Sequence, residues 1–159
     1  MDVSILFFLT SGLFLGWALG ANDAANVFGT AVGTRMIKFS TAAIICSIFV
    51  ILGAVFSGAG AASTLGELGS INTLPGAFMA AFSAALAVYL MTTVGVPVST
   101  TQAIVGAIIG WNFFSQRVTE TDPLFKILAT WIFCPLLAAI FSMMLFLLIK
   151  LVIKNVNLH

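Results

Sequence analysis

The chain has 159 residues, of which 61% are hydrophobic and 7% charged, with a formal net charge of +1. An ordinary soluble domain is roughly 45–50% apolar and about 25% charged, so this composition excludes a soluble globular protein, and its hydrophobicity excludes a disordered one. The near-neutral balance and the lack of any basic cluster give no sign of a nucleic-acid partner.

No charged residue lies between Phe39 and Gly66, between Leu68 and Gln116, or between Ile127 and Ile149. Each of these runs exceeds the roughly 20 apolar residues that carry a helix across a bilayer core. Continuous apolar runs lack the alternation of a membrane barrel, so the spans are helical. The expected fold class is all-α: a polytopic transmembrane helical protein with two broken or re-entrant segments, forming a single membrane domain over residues 1–159. Met1-Asp2 lacks the positive region of a signal peptide, so the first segment is expected to stay in the mature chain.

In chain order, residues 3–34 read as a first helical region, broken near 20–26 by Gly-Ala-Asn-Asp-Ala-Ala-Asn. Gly12, Gly16 and Gly20, and later Gly29 and Gly33, stand four apart, a spacing that lets another helix approach closely. Arg35 and Lys38 mark an aqueous boundary. Residues 39–60 form a second span, and the Gly/Ser/Thr-rich stretch from Ser57 to Gly76 reads as a turn or loop. A third span is expected over 76–95. The uncharged stretch from Thr92 to Gln102, with Pro97 inside it, interrupts the apolar pattern. A short or re-entrant helix over 98–115 follows, with Gly106 and Gly110 again four apart. Thr121-Asp122-Pro123 resembles a helix start. The last span, 124–150, carries Pro135 as a candidate kink and ends at Lys150 and Lys154.

Two constellations carry chemistry. Asp23 is the sole acid between Asp2 and Glu67. A carboxylate within a span costs about 2.5–3.5 kcal/mol on insertion scales and marks a functional site, with a cation as its natural partner. On a helix Asn22, Asn26, Thr30 and Thr34 share one face, setting amide and hydroxyl oxygens beside the acid. Hard oxygens suit sodium, and a bare carboxylate suits a proton. The second constellation is Pro97-Val98-Ser99-Thr100-Thr101-Gln102. Pro97 stops a regular helix, and the hydroxyls favour a new helix N-terminus, where free N–H groups and the helix dipole attract an anion. Ser99, Thr100, Thr101 and Gln102 add donors suited to an oxyanion such as phosphate or sulfate. A cation at Asp23 would offset its repulsion of that anion, so each ligand would raise the affinity for the other.

Gly20-Ala21-Asn22-Asp23-Ala24-Ala25-Asn26, continuing through Gly33, resembles the signature of the inorganic phosphate transporter family. Pro97-Val98-Ser99-Thr100-Thr101, followed by Ile104-Val105-Gly106-Ala107, resembles the family's second motif. The resemblance implies a secondary transporter driven by sodium or protons, with phosphate as the usual substrate and sulfate in some relatives. It implies that Asn22, Asp23 and Asn26 help to hold cation and substrate, and that Ser99, Thr100 and Thr101 contact the oxyanion. Gln102 stands where the family often has His, which removes a proton carrier from that position. The family has two inverted halves, each with both motifs. This chain has one copy of each and resembles the N-terminal half, which implies a second repeat as partner, either another copy or a separate C-terminal half. The expected location is the cell (inner) membrane, in a multi-pass arrangement.

A channel lined by Asp23 and the polar stripe, and a non-transporting subunit assembled through its Gly stripes, are the competing classes. An enzyme is not expected: the lone His is terminal His159, Cys46 and Cys134 lack nearby bases, and Ser99 has no partner to activate it. No cofactor is expected beyond the coupling ion. The positive-inside bias places Arg35 and Lys38 in the cytoplasm. Four of the six basic residues fall inside whether the chain makes five crossings or four with a re-entrant segment.

Overall fold

The computed structural model describes residues 3–69, 71 and 73–156, with side chains to residue 153. Asp2 and His159 lie outside the described residues, as does the side chain of Lys154. Five helices follow one another: α1 (Val3–Gly33), α2 (Phe39–Leu68), α3 (Leu74–Thr93), α4 (Thr100–Phe114) and α5 (Thr121–Val156). No strand occurs among the described residues. α1, α2, α3 and α5 are long and apolar enough to cross a membrane. α4, at 15 residues, is about 22 Å long and falls short of the ~30 Å hydrocarbon core.

Two expectations are corrected. The break near 20–26 is absent, because α1 runs unbroken through the polar motif. Ala21, Ala24 and Ala25 favour helix, and the Asn22 side chain bonds to another segment and to Asp23, leaving the helix ladder intact. The loop expected from Ser57 is also absent as far as Leu68, since α2 continues to that residue. Helix is the conformation that satisfies backbone groups within one segment in lipid. The polar side chains of this turn are accommodated by bonding back, Ser63 and Thr64 Oγ donating to the Gly60 carbonyl at 2.9 and 3.1 Å. The second break lies where it was expected, between Thr93 and Thr100.

Residues up to Glu120 form one compact unit and those from Thr121 a second. Within the first, α1 and α3 lie side by side and parallel. Phe7 stacks on Phe78 at 5.2 Å, Phe14 meets Phe82 at 5.8 Å and Trp17 meets Tyr89 at 5.7 Å, so positions advance together along both helices. α4 returns antiparallel to α3, its Trp111 packing on Gly76 near the start of α3. A Cβ on Gly76 would stand 2.8 Å from that indole. The buried residues of α3 are Gly76, Ala80, Ala84, Ala85 and Val88, the small side chains that allow close helix approach in membranes. An apolar groove between α3 and α4, lined by Met79, Ser83, Ala107, Gly110 and Trp111, lies toward the far end of this hairpin from its turn.

The hairpin is anchored at both ends. Fully buried Asn112 donates from Nδ2 to the Leu68 carbonyl at 3.4 Å and to Thr119 Oγ1 at 3.0 Å, tying the end of α4 to the end of α2. α1, α3 and α4 end alike. An N–H three residues past the helix reaches back five positions and its predecessor reaches back three: Met36 to Ala31 with Arg35 to Val32, Val96 to Met91 with Gly95 to Thr92, and Arg117 to Asn112 with Gln116 to Phe113. This is the Schellman motif. Its left-handed residue is Gly95 (φ 80°) in α3, but Arg35 (φ 61°) in α1 and Gln116 (φ 54°) in α4.

α5 begins at Thr121, as the Thr-Asp-Pro signal suggested, and stays helical through Pro135. It carries no buried residue within its most apolar window, and α2 is almost as bare. Such faces suit lipid or further protein, not water.

Candidate functional site

The turn of the α3–α4 hairpin lies against α1 at Asn22 and Asp23. α1 continues for eleven more residues, about 16 Å, to Gly33. The meeting point is therefore well inside the length of α1. Asn22 is 4% exposed and Thr100 5%, while Asp23 is half-buried.

The contacts run from α1 into the break. Asn22 Nδ2 donates to Asp23 Oδ1 at 2.9 Å and to the Val98 carbonyl. Asn22 Oδ1 accepts from the Val98 N–H at 3.4 Å and lies 3.3 Å from Thr92 Oγ1, whose hydroxyl also reaches the Val88 carbonyl at 2.7 Å. Thr100 Oγ1 donates to Asp23 Oδ2 at 3.3 Å. Ser99 is the N-cap of α4, its Oγ accepting from the Gln102 N–H at 3.3 Å. By position the N–H groups of Thr100 and Thr101, which open the helix, have no intrahelical acceptor. A carboxylate and a helix N-terminus thus come together: the first offers lone pairs to a cation, the second N–H donors and positive dipole to an anion.

Of the residues singled out in the sequence, the fold brings Asn22, Asp23 and Thr100 into direct contact. Ser99, Thr101 and Gln102 line the same helix start but are exposed. Consecutive helical residues point about 100° apart, so Thr100 faces α1 while Thr101 does not. Asn26 and Thr30 are exposed as well. They continue the stripe of Asn22 along α1, but the hairpin turns back at the level of Asn22, so nothing from it stands opposite them. Thr34 bonds its hydroxyl to the Thr30 carbonyl at 2.8 Å. Sequence reasoning missed Thr92 as a site residue, although it opens the polar stretch that marks the break. Among the described residues no three His, Cys, Asp or Glu side chains cluster as a metal site. A cation here would rest on one carboxylate with neutral oxygens, a donor set suited to a hard ion that must also leave.

Apolar crossing helices around a polar helix break define an integral, multi-pass helical membrane protein. Residues 19–158 match the phosphate transporter family. The chain belongs to that family. A protein of Pyrococcus furiosus with a provisional phosphate-permease name is 32% identical over 91% of this chain and 38% of its own length. Its counterpart in Pyrococcus abyssi, similarly named, is 33% identical over 92% of the chain and 38% of its own length. The sodium-dependent phosphate transporter 1 of Mus musculus is 34% identical over 82% of this chain and 21% of its own length. The chain thus spans less than two-fifths of the length of these relatives. No solved structure matches it.

Proposed function

We propose that the chain supplies one repeat of a transporter that moves inorganic phosphate across a membrane, coupled to sodium or protons. The observation that carries this reading is the contact between Asp23 and Thr100, which sets a carboxylate of α1 against the N-terminus of α4. Membership of the phosphate transporter family supports phosphate as the substrate, and the name of the mouse relative favours sodium as the coupling ion.

In this reading Asp23 holds the coupling cation. The Thr100 and Thr101 amides, with the Ser99, Thr101 and Gln102 side chains, receive the oxyanion. Asn26 and Thr30, exposed along α1, extend the polar path to that site. A cation on Asp23 cancels its repulsion of phosphate, and phosphate strengthens cation binding by the same factor. The open side of the site is closed by a second repeat, in whichever polypeptide carries it, because transporter sites of this kind form between repeats.

The test is uptake of labelled phosphate by proteoliposomes holding the purified chain, alone and with a second repeat, under a sodium or proton gradient. Gradient-driven, saturable uptake is the expected result, and Asp23→Asn should abolish it while insertion persists. Ohmic currents without saturable uptake, or uptake in Asp23→Asn with unchanged ion dependence, would overturn the reading.

A further inference from the structure

We infer that Asn22 is a positioning residue: its side-chain amide latches the α3–α4 break onto α1 and takes no direct part in ligand binding. This deepens the proposed reading of the site, in which Asp23 and the start of α4 must be held together.

The inference begins with the capacity of a carboxamide. It has two N–H donors and an oxygen with two acceptor positions. In Asn22 both donors are engaged, by Asp23 Oδ1 and the Val98 carbonyl, and the oxygen accepts from the Val98 N–H, with Thr92 Oγ1, which also donates to the Val88 carbonyl at 2.7 Å, beside it at 3.3 Å. The residue is 4% exposed, so no donor is left for an oxyanion and the oxygen is shielded from a cation. Both backbone groups of Val98 are served by this single side chain, as a neighbouring strand would serve them. Residues 96–99 belong to no helix, and Pro97 lacks an N–H. Peptide groups outside a helix at membrane depth need a partner from the protein or from a watery cavity. Asn22 does this for Val98 and fixes one oxygen of Asp23 in the same act. The segment held in this way leads directly into Ser99 and Thr100. A shorter residue at position 22 would free the break, and with it the orientation of α4 toward Asp23.

The test reads the latch and not transport. Hydrogen–deuterium exchange is followed at the Val98 amide of the full chain in lipid nanodiscs, without phosphate or sodium. In Asn22→Ala this amide should exchange roughly tenfold faster or more, because the bond that protects it is lost, while the Ala84 and Ala85 amides of α3 stay protected. Unchanged exchange at Val98 would overturn the inference, as would equal acceleration at Ala84 and Ala85, which would report general loosening. If Asn22→Ala does not fold, Asn22→Leu serves. It keeps nearly the volume but loses both donors and the oxygen that accepts from the Val98 N–H, so faster exchange at Val98 is again expected, and unchanged exchange again refutes the latch. Apparent phosphate affinity separates the roles further. Thr101→Val should weaken it without altering exchange at Val98, whereas a fall in affinity in Asn22→Ala with a protected Val98 would make Asn22 a ligand. Because exchange is measured without substrate, failure of the phosphate reading would leave its result intact.

Discussion

Thr100 and Thr101 are neighbours of the same type with different surroundings, and that difference makes them separable. Thr100 is buried and donates to Asp23, while Thr101 is exposed at the open end of the helix. Valine has nearly the shape of threonine without the hydroxyl, so each substitution tests one hydrogen bond. A bond to a charged group contributes about 1.5–3 kcal/mol. Thr100→Val is expected to change the sodium or pH dependence of uptake, because it removes a donor from Asp23. Thr101→Val is expected to leave that dependence alone and to weaken apparent phosphate affinity by about 1.5–3 kcal/mol. Uptake measured against phosphate and against the coupling ion for both variants distinguishes the two effects. Ser99 differs again, since its oxygen already caps α4. Ser99→Ala is expected to cost about 1 kcal/mol of stability in addition to any loss of phosphate contact.

At the scale of elements, the helix ends decide where the site stands. α3 stops at Thr93 because Gly95 adopts φ 80° and closes the helix with two reversed hydrogen bonds. A β-carbon in that conformation costs about 1–2 kcal/mol. Gly95→Ala should therefore lower the thermal unfolding midpoint in detergent, and it should also disturb uptake because the next residues lead into the site. Gln116 closes α4 in the same way without being glycine. Gln116→Gly relieves the left-handed strain at a smaller entropic cost, so a net stabilisation of about 0.5–1 kcal/mol is expected, read as a raised midpoint with unchanged uptake. The opposite signs follow from one backbone requirement met by different residues.

On the scale of the whole molecule, what stands out is how much remains uncovered. A β-carbon placed on Gly12, Gly16 or Gly20 would meet nothing within 4 Å. The close-packing stripe read in α1 thus has no partner among the described residues of this chain. α2 and α5 expose long apolar faces, and the site is open beside Asn26, Ser99 and Thr101. Lipid can cover apolar faces, but polar groups in lipid are costly, and a Gly stripe is a feature of helix–helix contact. Gly16→Leu provides a test. It should leave helicity and insertion of the chain intact, because the space is free, and should reduce uptake with the second repeat by blocking helix approach. Full uptake with a leucine at position 16 would mean that the second repeat does not pack on this stripe.

Membrane residence, helical class and the position of the second break were legible in the sequence itself. Long uncharged runs permit only membrane helices, and Pro97 forbids a continuous one. The two polar motifs were legible too, since a carboxylate inside an apolar span and a proline followed by three hydroxyls stand out in the sequence. The continuity of α1 was not legible. Whether Asn22 breaks its own helix or bonds elsewhere depends on the presence of Val98, 76 positions along the chain. The extent of α2 escaped for a related reason: Ser63 and Thr64 look like loop residues until their hydroxyls are seen bonded to Gly60. The division of the polar motif into buried and exposed members was also hidden. Asn22, Asn26 and Thr30 have one periodicity, and only the height at which the hairpin turns separates the first from the others. Sequence determined which residues carry charge, hydrogen bonds and breaks, because those are properties of single residues and near neighbours. Tertiary structure decided which of them meet, because a long-range contact depends on how far each helix runs before the chain turns.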